Sequence, residues 1–113
     1  MSTSVAWRAD YDAALGEAKK SGRPLVVEFY LEGCPHCRRL AEETHTDARV
    51  AAALNDRFVP VRLEGRQHMD LVQKFGVRGA PTTLIVDATG KEMARLVGFH
   101  TPEEYLAELN KAA

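Results

Sequence analysis

The feature that most constrains the fold is the apolar run of residues 25–31, LVVEFYL, which follows Pro24 and is rich in β-branched and aromatic residues. A short run that is apolar on both faces predicts a strand in the middle of a sheet, covered by helices on each side. Glu28 interrupts this run. A carboxylate is costly to bury without a partner, so Glu28 indicates either a functional group inside the sheet or a side chain that reaches water at a sheet edge.

The rest of the chain alternates helical and extended segments. Apolar periodicity and capping signals predict helices over residues 10–21, 35–43, 47–55, 68–75 and 102–111. Composition predicts strands over residues 25–31, 58–63, 82–86 and 91–97. Pro60 suits the edge of the sheet or the start of its strand. An early βαβ portion followed by a ββα portion predicts one α/β domain over residues 1–113, with a mixed central β-sheet flanked by helices on both faces.

Composition argues against several classes of protein. With 113 residues, 45% of them apolar and 27% charged, the chain has the balance of an ordinary globular domain. A net charge of −1 with mixed signs argues against nucleic acid or an anionic membrane as a partner, and no apolar run is long enough to cross a bilayer. The first ten residues lack the features of a leader peptide. We therefore expect a cytoplasmic monomer, with a periplasmic location left open if a leader has been removed.

Both cysteines of the chain lie in the segment 33–40, GCPHCRRL. A c-type haem site requires histidine directly after the second cysteine, where this chain has Arg38. A structural zinc site requires four ligands, and the histidines supply no second paired spacing. They are His36, His45, His68 and His100. A purely structural disulfide between Cys34 and Cys37 closes too short a loop to stabilise the fold much, so these interpretations are weak and no metal is expected.

A redox pair explains both the spacing and the surroundings of the cysteines. The pair follows a buried strand and opens a helix, where unpaired backbone N–H groups and the positive end of the helix dipole favour thiolate over thiol. A Cys-x-x-Cys beside a βαβ pattern is typical of such redox sites. Cys34 lies nearer the helix end and the solvent, and it is the expected nucleophile. Cys37, one turn further on, is expected to resolve the mixed disulfide.

Three segments carry a resemblance to a known family. They are LVVEFYLEGCPHC (25–37), KFGVRGAPTTLIVD (74–87) and GKEMARLVGF (90–99). With them the chain resembles thioredoxin-fold thiol–disulfide oxidoreductases over nearly its whole length, and residues 7–29 particularly resemble thioredoxin-like domains of bacterial thiol–disulfide interchange proteins. The resemblance implies a thioredoxin fold, disulfide exchange with protein substrates and a redox partner protein. It implies no cofactor beyond the redox-active Cys34–Cys37 disulfide.

The resemblance also implies roles for residues outside the cysteine pair. Ala80 and Pro81 match the loop whose X-Pro bond is cis and whose backbone pairs with an extended substrate beside the disulfide. Glu28 matches the buried acid beneath the resolving cysteine, and it is expected to relay the proton of that cysteine. Arg62 falls where the family often has a lysine, and it is the expected charge partner of Glu28.

The cysteine motif departs from that of most thioredoxins. Gly33 replaces the tryptophan that usually precedes the first cysteine, and Pro35-His36 replaces Gly-Pro. Pro-His resembles the strongly oxidising periplasmic enzymes that introduce disulfides, although the chain is too short for their helical insertion domain. His36 is expected to place a donor or a positive charge beside the Cys34 thiolate, which makes the disulfide a better oxidant. Gly33 and Pro35 are expected to contact the substrate.

Two other functions would use the same residues. Paired thiolates bind soft cations such as Cu(I), so the chain could be a copper carrier. The groove at Pro81 could instead hold client proteins with little turnover. If the chain is an oxidoreductase, the sequence leaves the direction of electron flow open.

Overall fold

The apolar run that Glu28 interrupts forms an interior strand of a sheet. In the computed structural model, which describes residues 4–112, four strands make one sheet: β1 (Leu25–Tyr30), β2 (Val59–Glu64), β3 (Thr82–Val86) and β4 (Glu92–Val97). Their order across the sheet is β2-β1-β3-β4. β1 is parallel to β2 and antiparallel to β3, and β3 is antiparallel to β4. The sheet is therefore mixed, as predicted, and Glu28 does not lie at an edge.

Helices cover both faces of this sheet. Within the same residues they are α1 (Tyr11–Ser21), α2 (Pro35–Arg39), α3 (Ala48–Arg57), α4 (Met69–Phe75) and α5 (Pro102–Ala112). None of them is long and apolar enough to span a membrane. Because side chains alternate along a strand, Val27 and Phe29 pack on one face against α1 and α4, whereas Val26 packs on the other against α3 and α5. The predicted arrangement of helices on both faces is confirmed.

Capping residues set the helix boundaries at positions that the sequence predicts. Asp47 caps α3 by accepting a hydrogen bond from the Arg49 N–H at 2.9 Å. Thr101 and Glu104 form a capping box at the start of α5: the Thr101 N–H donates to Glu104 Oε1 at 2.9 Å, and the Glu104 N–H donates to Thr101 Oγ1 at 3.2 Å. Gly76 ends α4 in the left-handed conformation, with φ 62°.

The helix that follows Cys34 differs from the prediction in its hydrogen bonding. α2 ends at Arg39, and the chain continues as a π-helical turn over Leu40–Thr44. The His45 N–H donates to Leu40 O at 3.0 Å, so this bond spans five residues instead of the four of an α-helix. Turns of this kind are rare and often lie at functional sites. Here the turn leads into His45, whose side chain is only 6% exposed.

A short N-terminal segment covers part of the β2 edge. Arg8 forms an isolated parallel bridge with Val61. The Arg8 N–H donates to Pro60 O and the Arg62 N–H donates to Arg8 O, each at 2.9 Å. Pro60 lies in the edge strand, where its missing N–H is tolerated, and the prediction from this proline is confirmed.

Candidate active site

The two cysteines lie together just beyond the carboxyl end of β1. Cys34 is the N-cap of α2 and Cys37 lies in its first turn. Their sulfur atoms are at disulfide-bonding distance, with the Cα atoms 5.3 Å apart. The Cys37 N–H donates to Cys34 Sγ over 3.2 Å, and such a bond also stabilises a thiolate at this position. Cys34 is half-buried whereas Cys37 is only 2% exposed, so a partner protein reaches Cys34 more readily.

The Ala80–Pro81 loop faces the cysteine pair. Its peptide bond is cis, and Ala80 O lies 3.7 Å from Cys34 Sγ. The Gly98 N–H donates to Pro81 O at 2.8 Å, which ties the loop to the end of β4. The structure therefore brings this loop beside Cys34, while its contact with a substrate stays a prediction.

An apolar cleft lies beside the same loop. Its lining includes Leu31, Met69, Val72, Val77 and Ala80. Met69 is half exposed. Flexible, polarisable methionine suits a surface that accepts varied apolar groups.

Glu28 is fully buried on the sheet face that α3 and α5 cover. Its Oε2 accepts a hydrogen bond from Arg62 Nε at 3.2 Å, which confirms Arg62 as its charge partner. Its Oε1 lies 3.1 Å from His45 Nε2. Neither Glu28 Oε1 nor His45 Nε2 has a hydrogen bond of ordinary geometry with any group in residues 4–112. The buried carboxyl is therefore flanked by two basic side chains, the expected Arg62 and the unexpected His45.

Arg62 connects Glu28 with the cysteines. Its guanidinium stacks on the Tyr30 ring, 3.9 Å from the ring centroid, which fixes its orientation. It also lines the surface cleft that contains Cys34 and Cys37, here called the cysteine cleft. One side chain thus touches both the buried acid and the space around the redox sulfurs.

His45 is a site residue that the sequence pattern indicates only as a weak zinc-ligand candidate. Its ring packs edge-on against Trp7 and Tyr105, with centroid distances of 4.9 Å and 6.0 Å. It lines a second surface cleft, here called the histidine cleft, together with Trp7, Ala41, Thr46 and Arg62. No local pattern marks His45, because its place beside Glu28 depends on the π-helical turn.

The other predicted site residues surround Cys34 at the surface. Gly33, Pro35 and His36 are all exposed. Gly33 has a φ of 78°, a conformation that favours glycine, and it turns the chain from β1 into α2. His36 lies between the cysteines on the exposed side of α2, and its effect on Cys34 stays a prediction.

A second buried carboxylate, which the sequence did not reveal, holds the loop before Cys34. Glu64 is 7% exposed and lies at the end of β2. It accepts hydrogen bonds from the Glu32 N–H at 3.1 Å and from the Arg66 N–H at 2.6 Å. These bonds, with that from Glu32 first, hold the pKa of Glu64 below its usual range. Glu64 therefore anchors the approach to the cysteine pair.

The chemistry available at this site is that of two sulfur atoms. Residues 4–112 contain no group of three or more histidine, cysteine, aspartate or glutamate side chains arranged to hold a metal ion. A half-buried and a buried cysteine in bonding contact can form, break and exchange disulfides.

Comparison with known proteins gives the family. The thioredoxin-like domain family matches residues 11–113. The chain is 36% identical over 108 residues to a thiol:disulfide interchange protein DsbD from Ralstonia nicotianae, covering 92% of this chain and 18% of that protein. It is 34% identical over 86 residues to the protein disulfide-isomerase tigA from Aspergillus niger, covering 76% of this chain and 21% of that protein. The chain thus spans about a fifth of the length of these relatives.

Solved structures with a similar fold support the same family. A solution structure of a thioredoxin from Thermus thermophilus has a TM-score of 0.85 and 31% identity, covering 96% of this chain and 87% of that chain. The oxidised C-terminal domain of DsbD from Neisseria meningitidis shares the fold, with a TM-score of 0.78 and 23% identity, covering 96% of this chain and 100% of that chain. The chain therefore belongs to the thioredoxin-like domain family, and it carries Cys34 and Cys37 at disulfide-bonding distance.

Proposed function

We propose that this protein exchanges disulfides with other proteins through Cys34 and Cys37. The observation that carries the proposal is the unequal exposure of two bonded cysteines beside the cis loop: Cys34 is half-buried, whereas Cys37 is 2% exposed. An accessible sulfur forms the bond with the partner, and a protected one closes the cycle before a second partner can intervene.

The reaction consists of two thiol–disulfide exchanges. In the direction that reduces a partner, the Cys34 thiolate attacks one sulfur of the partner disulfide, and the other partner sulfur leaves as a thiolate. Cys37 then loses its proton and attacks Cys34 Sγ, so that the Cys34–Cys37 bond forms and the second partner sulfur leaves. Two electrons have passed to the partner, and a redox partner protein returns them. The reverse sequence oxidises the partner.

Glu28 is the proposed acceptor of the Cys37 proton. Cys37 is buried, so its proton needs an acceptor inside the protein. Glu28 is a fully buried carboxyl, and Arg62, which holds its Oε2, also lines the cysteine cleft. Arg62 thus links the carboxyl to the cleft that holds the resolving cysteine, and burial keeps the carboxyl from bulk water.

The partner is proposed to lie extended across the Ala80–Pro81 loop. Ala80 O is 3.7 Å from Cys34 Sγ, so a strand that pairs with this loop brings its own sulfur next to Cys34. Gly33 and Pro35, which flank Cys34 in the sequence, are both exposed, and they are proposed to contact the partner. Glycine at position 33 leaves that approach open to a bulky partner.

Protein thiols and disulfides are the substrate class that the relatives support, since they are named interchange proteins and a disulfide-isomerase. Similarity to DsbD supports the periplasmic location that the sequence left open, and it does not support the cytoplasmic location that we expected. We propose that the protein acts there as a monomer and that its electrons come from, or go to, another protein.

Trapping tests the roles of the two cysteines. Cys37→Ser is expected to accumulate partners as mixed disulfides through Cys34, because the resolving thiol is gone. Cys34→Ser is the matched control, and it is expected to trap few partners because Cys37 is buried. Non-reducing gels followed by reduction measure the adducts. Equal trapping by the two variants would contradict the assignment.

Turnover separates the proposal from its alternatives. The wild-type protein is expected to accelerate the reduction of insulin by dithiothreitol, and the double Cys34→Ser/Cys37→Ser variant is expected to be inactive. A protein that binds copper stoichiometrically without turnover would be a metal carrier. A double variant that binds the same partners as the wild type, with no turnover by either, would be a client-binding module.

A further inference from the structure

The observation that leads beyond the proposed function is a pair of buried polar atoms that face each other. Glu28 Oε1 and His45 Nε2 lie 3.1 Å apart, with side chains 0% and 6% exposed. Neither atom has a hydrogen bond of ordinary geometry with any group in residues 4–112. An unsatisfied buried polar atom costs about 1–3 kcal/mol. At 3.1 Å the two atoms are close enough for a proton to pass between the carboxyl and the imidazole.

The other groups that face Glu28 cannot take its proton. Arg62, from β2, holds Oε2, and its guanidinium is always protonated. Tyr105, from α5, packs against His45, and burial together with the negative charge of Glu28 raises its pKa, so it stays a neutral phenol. Cys37, from α2, lines the cysteine cleft together with Arg62, and in the proposed reaction it is the source of the proton. Imidazole is the one among these groups with one nitrogen that can accept a proton and another that can release one.

His45 also stands between Glu28 and solvent. Glu28 is fully buried, whereas His45 lines the histidine cleft. Ala41 and Arg62 line both the histidine cleft and the cysteine cleft, so they form the partition between the two. Glu28 Oε1 thus lies beside an imidazole that lines the histidine cleft, and Arg62, which holds Oε2, lines both clefts.

We propose that His45 is a positioning residue of the redox reaction, which acts through Glu28 by exchanging the Glu28 proton with water in the histidine cleft. When Cys37 attacks Cys34 Sγ, its sulfur supplies the electron pair of the new bond, the partner thiolate leaves, and the Cys37 proton passes to Glu28. His45 Nε2 then takes this proton from Oε1, and the other ring nitrogen releases one to water. Opening of the disulfide uses the same route in reverse. The inference rests on the proposed function.

The resolving step can be followed alone. The reduced protein is mixed rapidly with excess oxidised glutathione, quenched in acid, and analysed by mass spectrometry, which separates the glutathione mixed disulfide at Cys34 from the internal disulfide. His45→Gln keeps a polar group at the position of Nε2 but cannot carry a proton. His68→Gln is the matched control, since His68 lines neither cleft. His45→Asn replaces His45→Gln if the latter does not fold.

We expect His45→Gln to resolve the mixed disulfide about tenfold more slowly at pH 7, less than the hundredfold or greater contribution that is usual for a positioned acid or base. Added imidazole buffer should restore the rate, and the deficit should shrink as the pH rises, because hydroxide then takes the Cys37 proton without the relay. His68→Gln should match the wild type. In a Glu28→Gln background His45→Gln should cause no further slowing, because the two residues act as one unit.

Two results would overturn the inference while leaving the proposed function intact. One is a wild-type rate at pH 7 in the His45 variant, without dependence on buffer. The other is a double variant, Glu28→Gln with His45→Gln, whose resolution rate falls by the product of the two single effects. If the wild-type protein itself forms no internal disulfide from the mixed disulfide, the proposed function fails and the inference fails with it.

Discussion

His36 is an exposed residue between the two cysteines, in the first turn of α2. We predict that its imidazole donates a hydrogen bond to the Cys34 thiolate or places a positive charge beside it. Stabilising the thiolate stabilises the reduced protein, and this makes the disulfide a stronger oxidant. The influence of this one side chain on the direction of electron flow can therefore be measured as a reduction potential.

We expect His36→Pro to be a stronger reductant than the wild type. If the lost thiolate stabilisation is about 1.4 kcal/mol, the reduction potential becomes more negative by about 30 mV, because the couple transfers two electrons. Equilibration of both proteins with glutathione buffers measures the shift, and His68→Gln controls for the loss of an imidazole elsewhere. An unchanged or less negative potential would show that His36 does not stabilise the thiolate.

Glu28 gives a second prediction at the scale of single residues. Glu28→Gln is expected to fold, because the amide oxygen can still accept the hydrogen bond from Arg62. Resolution by Cys37 is expected to slow about a hundredfold at pH 7, since the amide cannot take a proton. The glutathione quench experiment measures this rate. Glu64→Gln, which alters the other buried carboxyl near the site, should keep the wild-type pH profile. A wild-type rate for Glu28→Gln at every pH would remove Glu28 from the mechanism.

Among the helices, α5 offers a clean test of local stability. Its capping box joins Thr101 and Glu104 by reciprocal hydrogen bonds. Thr101→Ala removes one of them, and we expect it to lower the free energy of unfolding by about 1 kcal/mol, without changing the rate of disulfide exchange. Chemical denaturation and the insulin assay measure the two quantities. Thr101→Ser keeps the hydroxyl and should stay close to the wild type; an equal loss in both variants would mean that the cap contributes little.

The elements that the sequence predicted are those with local causes. Helix starts at Asp47 and Thr101 follow from side chains that bond the backbone a few residues away, and the apolar run around Glu28 predicts an interior strand by composition alone. The π-helical turn over Leu40–Thr44 was not predicted, because an α-helical turn and a π-helical turn present nearly the same apolar pattern. They differ in one backbone hydrogen bond, which tertiary packing decides.

The residues of the candidate site also divide into those with local sequence signals and those placed by distant contacts. Cys34, Cys37 and the Ala80–Pro81 loop are recognisable because each belongs to a short motif. Arg62 was placed correctly beside Glu28 because the two strands pair in register. His45 and Glu64 were missed, since their roles come from contacts with distant segments, and nothing next to them in the sequence marks those contacts.

For the whole molecule, ionisable groups predict how stability depends on pH. Hydrogen bonds and nearby cations lower the pKa of several carboxyls in the folded protein. They are Glu17, Asp47, Glu64, Asp87, Glu92, Glu103 and Glu104. Burial raises the pKa of Tyr11 and Tyr105 above 10.0. A carboxyl whose pKa is lowered on folding stabilises the fold when the pH is above the pKa of the unfolded carboxyl. A tyrosine whose pKa is raised on folding stabilises the fold when the pH is below the pKa of the unfolded tyrosine, and this stabilisation is lost as the pH rises further.

We therefore expect stability to be highest in the neutral range and to fall on both sides. It should fall as the pH drops below about 4.5, because the unfolded carboxyls then bind protons that the folded ones resist. It should fall again above about pH 10, where unfolded tyrosines ionise and the buried ones do not. Urea denaturation of the oxidised protein, in which the cysteines do not titrate, measures this profile. Stability that increases on acidification below pH 4 would contradict it.

The segment at Arg8 makes the two edges of the sheet unequal. β-Sheets associate by adding strands at an edge. At β2, Pro60 offers no N–H, and Arg8 already occupies Pro60 O and the Arg62 N–H. β4 forms the opposite edge, and its Val97 is 66% exposed. Two copies that join through β4 then have only their obstructed β2 edges at the outside. Strand addition between copies of this otherwise monomeric protein would therefore stop at a pair.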